Sequence, residues 1–385
     1  MERISNQILI VVLSLIGVGL VMIYSTSAVL AQARYADEYF FLKRQLIWTS
    51  VGIVFLYLCY RIPSDFWNRH ARWMLAITIV LLISVHIPYL GRTVGGARRW
   101  IVIGAFTFQP SELAKLSLII YLSSWLSQHQ HCVKSFGKGF VPMMLIVGGV
   151  VGLIIIQPDL GTCIVLGTIS FVLLFVGGVR IFYLISLLLS ALPALYYSIL
   201  NVAYRKARIL SFLNPWEDPL GKGFQIIQSF IALGSGGWFG VGLGQSRQKL
   251  FYLPEAHTDF IFSILGEELG FIGTLFVCML YMILVILGYR AATKAKDLFS
   301  HLAGIGIVTL IAMQTVINIG VVTGSFPTKG LPLPFVSFGG SSLVMNMMGI
   351  GILMGIARSS AQNRVFIKRT LKRKKKKGSR VIAVK

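Results

Sequence analysis

The stretch HLAGIGIVTLIAMQTVINIGVVT, residues 301–323, runs for 23 residues without a single Asp, Glu, Lys or Arg. At 1.5 Å per residue a helix of this length reaches roughly 35 Å, enough to cross a hydrocarbon core of about 30 Å. In lipid, backbone polar groups must be satisfied within the chain, which a helix achieves. The stretch therefore reads as a transmembrane helix. Working outward, the same test finds nine more apolar segments, near 8–31, 45–60, 71–90, 112–127, 140–156, 160–177, 180–200, 262–288 and 338–357. With 56% hydrophobic and 13% charged residues, the 385-residue chain is not composed like a water-facing protein. The expected fold is an all-α polytopic membrane protein of about ten transmembrane helices, with a large extracytoplasmic loop, 201–261, between helices 7 and 8. Ala31-Gln32-Ala33 resembles a signal cleavage site, but the apolar run from Ile8 to Ile23 is long and its basic flank is Arg3 alone, which favours an uncleaved first span.

Charge sets the orientation. Ten spans place both termini on one side, and putting them in the cytoplasm gives 22 Lys and Arg inside against 13 outside. Of the 36 cations, 12 follow Ile356, so residues 1–358 read as the membrane domain and 359–385 as a basic cytoplasmic tail drawn to anionic lipid. The net charge of +23 thus argues for a tail rather than a nucleic-acid partner. Cys59, Cys132, Cys163 and Cys278 are too scattered for a disulfide framework or a zinc site, and His129 to Cys132 reads as a polar turn.

Two connections are not ordinary loops. Residues 233–244, LGSGGWFGVGLG, are apolar but too rich in glycine for a stable lipid-exposed helix, so they should fold back on other helices. Residues 324–342 carry three prolines and four glycines between two spans. Irregular backbone at membrane depth is tolerated where it lines a cavity, so this segment should border a site.

Ionisable groups in or beside spans are costly and point to function. Glu112 and Lys115 lie three apart on one helical face, suited to an ion pair. Glu267 and Glu268 are consecutive, so at most one is expected to face the bundle interior. The densest constellation is LPEAHTDF, residues 253–260, entering the eighth span. A helix starting near Thr258 would align Ser263, Gly266, Gly270 and Gly273 below Asp259 as a groove of small residues. A serine triad of His257, Asp259 and Ser341 or Ser342 is disfavoured, because residues two apart entering a helix point in different directions. The outward loops also carry cations against the usual bias, Arg99, Arg208, Lys249 and Lys329 among them, which suits an anionic ligand such as a lipid-linked phosphate.

The chain resembles the SEDS family of bacterial shape, elongation, division and sporulation proteins, the group containing FtsW, RodA and SpoVE. The carriers are GGARRW at 95–100, QPSELAK at 109–115, QPDLGT at 157–162, Pro215-Trp216, the block from Leu253 to Glu268, and GLPLPF from Gly330 through to Ser342. Ala256 is more like the division branch, FtsW, than the elongation branch, RodA, which tends to have arginine there. Phe338 stands where the family usually has tyrosine, and Pro332 where the division branch often has threonine. The resemblance implies a glycosyltransferase polymerising lipid II outside the cytoplasmic membrane during septal cell-wall synthesis. It would work with a class B penicillin-binding protein and other division proteins.

The family's essential aspartate falls on Asp259 and its acid–lysine pair on Glu112 and Lys115. The expected substrate-binding set is Glu112, Lys115, Arg99, Gln109, His257, Thr258, Lys329, Ser341 and Ser342, with Arg99, Lys115 or Lys329 facing the departing pyrophosphate. No cofactor or metal motif is visible, although a divalent cation (Mg2+ or Mn2+) could bridge the pyrophosphate to Glu112 or Asp259. Broken segments around a polar cavity also suit a lipid II flippase, and a RodA-like elongation polymerase is the nearer alternative.

Overall fold

The computed structural model describes residues 2–87, 90–94, 97–104, 106–200, 203–221 and 223–360. Residues 361–385, nearly all of the expected basic tail, lie outside the described residues, as do Gly95 and Gly96 of the first family motif. The helices are α1 (Glu2–Tyr35), α2 (Phe40–Arg61), α3 (Ser64–Ser84), α4 (Pro110–Gln128), α5 (Val141–Ile156), α6 (Leu160–Val176), α7 (Ile181–Leu200), α8 (Ala203–Leu213), α9 (Phe224–Gly236), α10 (Ile261–Thr293) and α11 (Leu298–Val322). A last helix, α12, covers Gly340–Ser360 and so runs two residues past the expected domain boundary at 358.

Each apolar segment of the sequence falls on one of these helices. Six helical runs among the described residues are long and apolar enough to cross a membrane: Arg3–Tyr35, Phe40–Arg61, Phe136–Ile156, Ile261–Thr293, Leu298–Val322 and Gly340–Ser360. Shorter apolar helices cover Leu160–Val176 and Ile181–Ser190. The protein is thus a polytopic helical membrane protein. Side chains such as Trp73, Leu145 and Phe182 project outward from the bundle, as lipid surroundings allow. Helix α4 is different: Ser111, Ser117, Ser123 and Ser124 are all buried along it, so its polar side faces protein rather than lipid.

The α3–α4 connection departs from an all-helical reading. It forms a three-stranded antiparallel sheet of β1 (Gly91–Val94), β2 (Ala97–Ile103) and β3 (Phe106–Phe108). Strands of three to seven residues are too short for their alternation to stand out from a loop. The sheet presents Arg99 and Trp100 beside the start of α4.

Helix α10 is broken at Gly270, where φ is 67° and ψ is −167°. The glycine-dense stretch after α9 repairs the break. Val241 and Gly242 N–H donate to the Glu267 and Glu268 carbonyls at 2.9 and 3.1 Å, while Phe271 and Ile272 N–H donate to the Gly237 and Trp238 carbonyls at 2.8 and 3.2 Å. Every backbone group released by the kink that appears in these contacts is therefore partnered at membrane depth. A Cβ at Gly240 would lie 2.2 Å from the Glu268 carbonyl oxygen, so the close approach requires glycine.

The break corrects two expectations. Glu267 and Glu268 are both buried, because the wrapped loop supplies partners on each side. Glu267 accepts from the Ser246 hydroxyl and the Arg247 N–H, and Glu268 accepts from Ser25 and from Lys249 Nζ at 3.0 Å. The small-residue face below Asp259 is also not an open groove. Helix α10 begins at Ile261, and that face is filled by α9, with Ser263 2.8 Å from Ser229 and Gly266 against Leu233 and Gly236.

Candidate functional site

The segment before α10 and the α11–α12 connection are sewn together by polar contacts. Asn318 Nδ2 donates to the Asp259 carbonyl at 2.8 Å and the Leu331 carbonyl at 2.9 Å. The Ser337 hydroxyl donates to the Thr258 carbonyl at 2.6 Å and accepts from Leu333 N–H, while Phe338 N–H donates to the His257 carbonyl at 3.0 Å. Tyr281 donates to the Pro334 carbonyl from within α10. The proline-rich connection therefore owes its shape to buried hydrogen bonds, and it fixes the backbone on which Asp259 sits.

Between these segments, the sheet and α2 lies a cavity of about 580 Å³. Glu255 and Asp259, beside Thr258, make one wall acidic; Arg44, Trp48, Arg99 and Trp100 line other parts, and Thr107, Gln109, Gly330, Ser341 and Ser342 are among the rest of the lining. Gly330 abuts the acid, since a Cβ there would lie 2.9 Å from Asp259 Oδ2. Ser341 donates to the Thr107 carbonyl at 3.3 Å and accepts from Gln109 N–H at 3.2 Å, tying the start of α12 to that of α4. Arg99 donates to the Gln157 and Pro158 carbonyls at 3.0 and 2.5 Å and lies 3.9 Å from Asp159, which caps α6 through Thr162.

Asp259 is pushed up to about 7, first by enclosure, then by the nearby Glu255 carboxylate, with Arg208 opposing. The group can therefore exchange a proton near neutral pH. Enclosure lowers the pKa of His257, with Glu255 opposing, so its imidazole favours the neutral form.

The cavity gathers six of the ten site residues expected from sequence: Asp259, Arg99, Gln109, Thr258, Ser341 and Ser342. The other four do not line it. Glu112 and Lys115 form a 2.7 Å ion pair with only 4% and 1% of their side chains exposed, enclosed one turn inside α4. His257 packs its ring on Phe41 at 4.8 Å and Phe338 at 5.8 Å, acting as a wedge between segments. Lys329 lies outside the cavity lining; burial lowers its pKa, and the charge of Asp159 partly offsets this. Ser341 bonds to the Thr107 carbonyl and the Gln109 N–H rather than to His257, whose ring packs on Phe41 and Phe338. The expected set omitted Arg44, Trp48, Trp100 and Glu255. Glu255 lies four residues before the acid, and the Arg44 and Trp48 pair, at i and i+4 on an apolar helix, was the available signal for α2.

Among the described residues, no group of three or more His, Cys, Asp or Glu side chains converges as a metal site would require. The carboxylates that face the cavity are Glu255 and Asp259, whereas Glu112 is held by Lys115.

Fold and site together define a multi-pass membrane protein with an acid-and-arginine cavity at one end of its helical bundle. The chain belongs to the FtsW/RodA/SpoVE family: the family model described as "Cell cycle protein" matches residues 6–362. It is 46% identical over 353 residues to stage V sporulation protein E of Bacillus subtilis, covering 92% of this chain and 96% of that one. It is 44% identical over 356 residues to the probable peptidoglycan glycosyltransferase FtsW of Geobacter metallireducens, with 92% and 95% covered. Among solved structures, a chain from a peptidoglycan synthase complex that coordinates polymerization and crosslinking aligns with a TM-score of 0.76 at 30% identity, covering 92% of this chain and 98% of that one. The rod shape determining protein RodA of Thermus thermophilus aligns at 0.68 and 28% identity, with 92% and 96% covered.

Proposed function

We propose that this protein is a peptidoglycan glycosyltransferase that polymerises lipid II, with Asp259 as its general base. The observation that carries the reading is an aspartate with a pKa near 7 facing a cavity whose other walls hold two guanidiniums. Asp259 takes the proton from the 4-hydroxyl of one saccharide as that oxygen attacks the anomeric carbon of another. The bond from that carbon to the undecaprenyl pyrophosphate breaks, and the pyrophosphate departs with the electron pair. An α-linked donor gives a β-linked product in one displacement, with no covalent sugar–enzyme intermediate. A base is most effective when its pKa lies near the working pH, which is where enclosure holds Asp259. Arg44 and Arg99 lie where they can offset charge developing on the leaving group.

Ten spans with both termini in the cytoplasm, favoured by the distribution of Lys and Arg, would open the cavity to the outer face of the membrane. The likeness to FtsW relatives supports a role in septal synthesis beside a class B penicillin-binding protein and other division proteins. Were a divalent cation bound, Glu255 and Asp259 rather than Glu112 would be the carboxylates to hold it, and it would offset charge on the departing pyrophosphate.

The test is polymerisation of lipid II in detergent by the purified protein with its crosslinking partner, where there is no bilayer to flip across. Glycan strands from the wild type and at most a slow residual rate from a folded Asp259→Asn variant are expected. Polymer from Asp259→Asn at the wild-type rate removes the proposed base, and a wild type that makes none favours transport.

A further inference from the structure

We propose that Arg44 is the cavity's anion anchor, binding the pyrophosphate of a lipid-linked saccharide at the mouth on the α2 side. This rests on the lipid II reading for the ligand's class, but the argument for the residue is geometric. Of the two guanidiniums lining the cavity, Arg99 has its donors engaged by the Gln157 and Pro158 carbonyls. Arg44 makes no hydrogen bond or ion pair among the described residues. The neighbouring Lys43 is engaged by Asp37 at 2.8 Å. Arg44 instead sits 4.5 Å over the Phe40 ring, which is itself stacked on Tyr35 at 3.8 Å. An aromatic face orients a guanidinium while leaving its in-plane N–H donors free, and those donors match two phosphate oxygens at once.

Position identifies the source of the anion. One turn along α2, Ile47 lines the cavity and is also about half exposed on a helix apolar enough to cross the membrane. Arg44 thus stands where the cavity meets lipid. Glu255 and Asp259 repel an anion from their own wall, so the pyrophosphate settles at Arg44 and the sugar is left to face the carboxylates. A free phosphate or an anionic headgroup offers the same oxygens, and the probes below separate these sources.

The experiment measures binding to the full chain in nanodiscs of neutral lipid, using undecaprenyl pyrophosphate and inorganic pyrophosphate as probes, for wild type, Arg44→Ala and Arg44→Lys. Losing charge-assisted hydrogen bonds to phosphate should weaken undecaprenyl pyrophosphate binding by about 10- to 100-fold in Arg44→Ala, with Arg44→Lys in between. Inorganic pyrophosphate should bind far more weakly than the lipid form and lose affinity by a similar factor. In polymerisation, Arg44→Ala should lower kcat/KM for lipid II by at least the same factor, through a raised KM and, because the guanidinium also offsets charge developing on the leaving group, a lowered kcat. Arg44→Ala binding within twofold of wild type overturns the proposal. So does equal competition from nanodiscs containing phosphatidylglycerol, which would make Arg44 a headgroup site. A wild type that binds through Arg44 but forms no polymer counts against the glycosyltransferase reading while leaving the anchor intact.

Discussion

Replacing Gly330 with alanine places one methyl group against the acid and should separate activity from stability. A Cβ at this position would lie 2.9 Å from Asp259 Oδ2 and 3.8 Å from its Cγ. Carbon–oxygen contacts relax at roughly 3.4 Å, so the carboxylate must move by about half an ångström. Gly330 is not among the glycines with positive φ, so alanine brings no backbone strain and should leave stability unchanged or raise it by about 0.4–1 kcal/mol by restricting the unfolded chain. Positioning is less forgiving: a 1 Å error in a catalytic group can cost about 100-fold, so half of that should lower kcat by roughly 10-fold. The methyl also removes water from the carboxylate, raising its pKa and moving the acid limb of the pH–rate profile upward. The assay pairs thermal unfolding with single-turnover polymerisation from pH 5.5 to 8.5. A variant as stable as wild type with an unchanged rate and profile would refute the claim that this carboxylate is the reacting group. Loss of folding would refute the local geometry.

The buried Glu112–Lys115 pair should behave as structure. Glu112→Gln strands a buried ammonium and should cost about 3–5 kcal/mol in unfolding experiments, whereas Glu112→Leu with Lys115→Met should recover most of the stability and, with it, polymerisation. A stable but inactive double variant would return the pair to the chemistry. Glu255→Gln removes a carboxylate that raises the pKa of Asp259, so its acid limb should lie at lower pH than that of wild type; an unmoved limb contradicts the coupling. Because Asp259 holds its proton more tightly folded than unfolded, its contribution to stability is full below about pH 4 and falls until about pH 7. Asp259→Asn should therefore raise the melting temperature at pH 8, by an amount that shrinks toward pH 4.

The helices were legible because hydrocarbon leaves a helix few alternatives, so an uncharged run such as 301–323 has one reading. The strands around Arg99 and Trp100 were not, since three to seven residues carry too little pattern. The break at Gly270 hid in an apolar run because only φ distinguishes that glycine from its neighbours, and its hydrogen-bond partners come from thirty residues away. The same wrapping explains how consecutive glutamates can both be buried. At the site, Asp259 and Thr258, which line the cavity, stand out by their place before a span, while nothing local in the sequence separates Lys329, which does not line it, from the cations that do. Arg44 looked like one more cation beside Lys43 until folding paired one of them with Asp37 and left the other facing the cavity.

The measurement that bears most directly on the account is the pH dependence of kcat/KM for lipid II polymerisation by the wild type, set beside the residual rate of Asp259→Asn. A single ionisation near pH 7 on the acid limb, absent from a slow and pH-independent variant, is the predicted result. A wild-type rate that is flat from pH 5.5 to 8, or a variant that keeps the same limb, would show that the proton goes elsewhere.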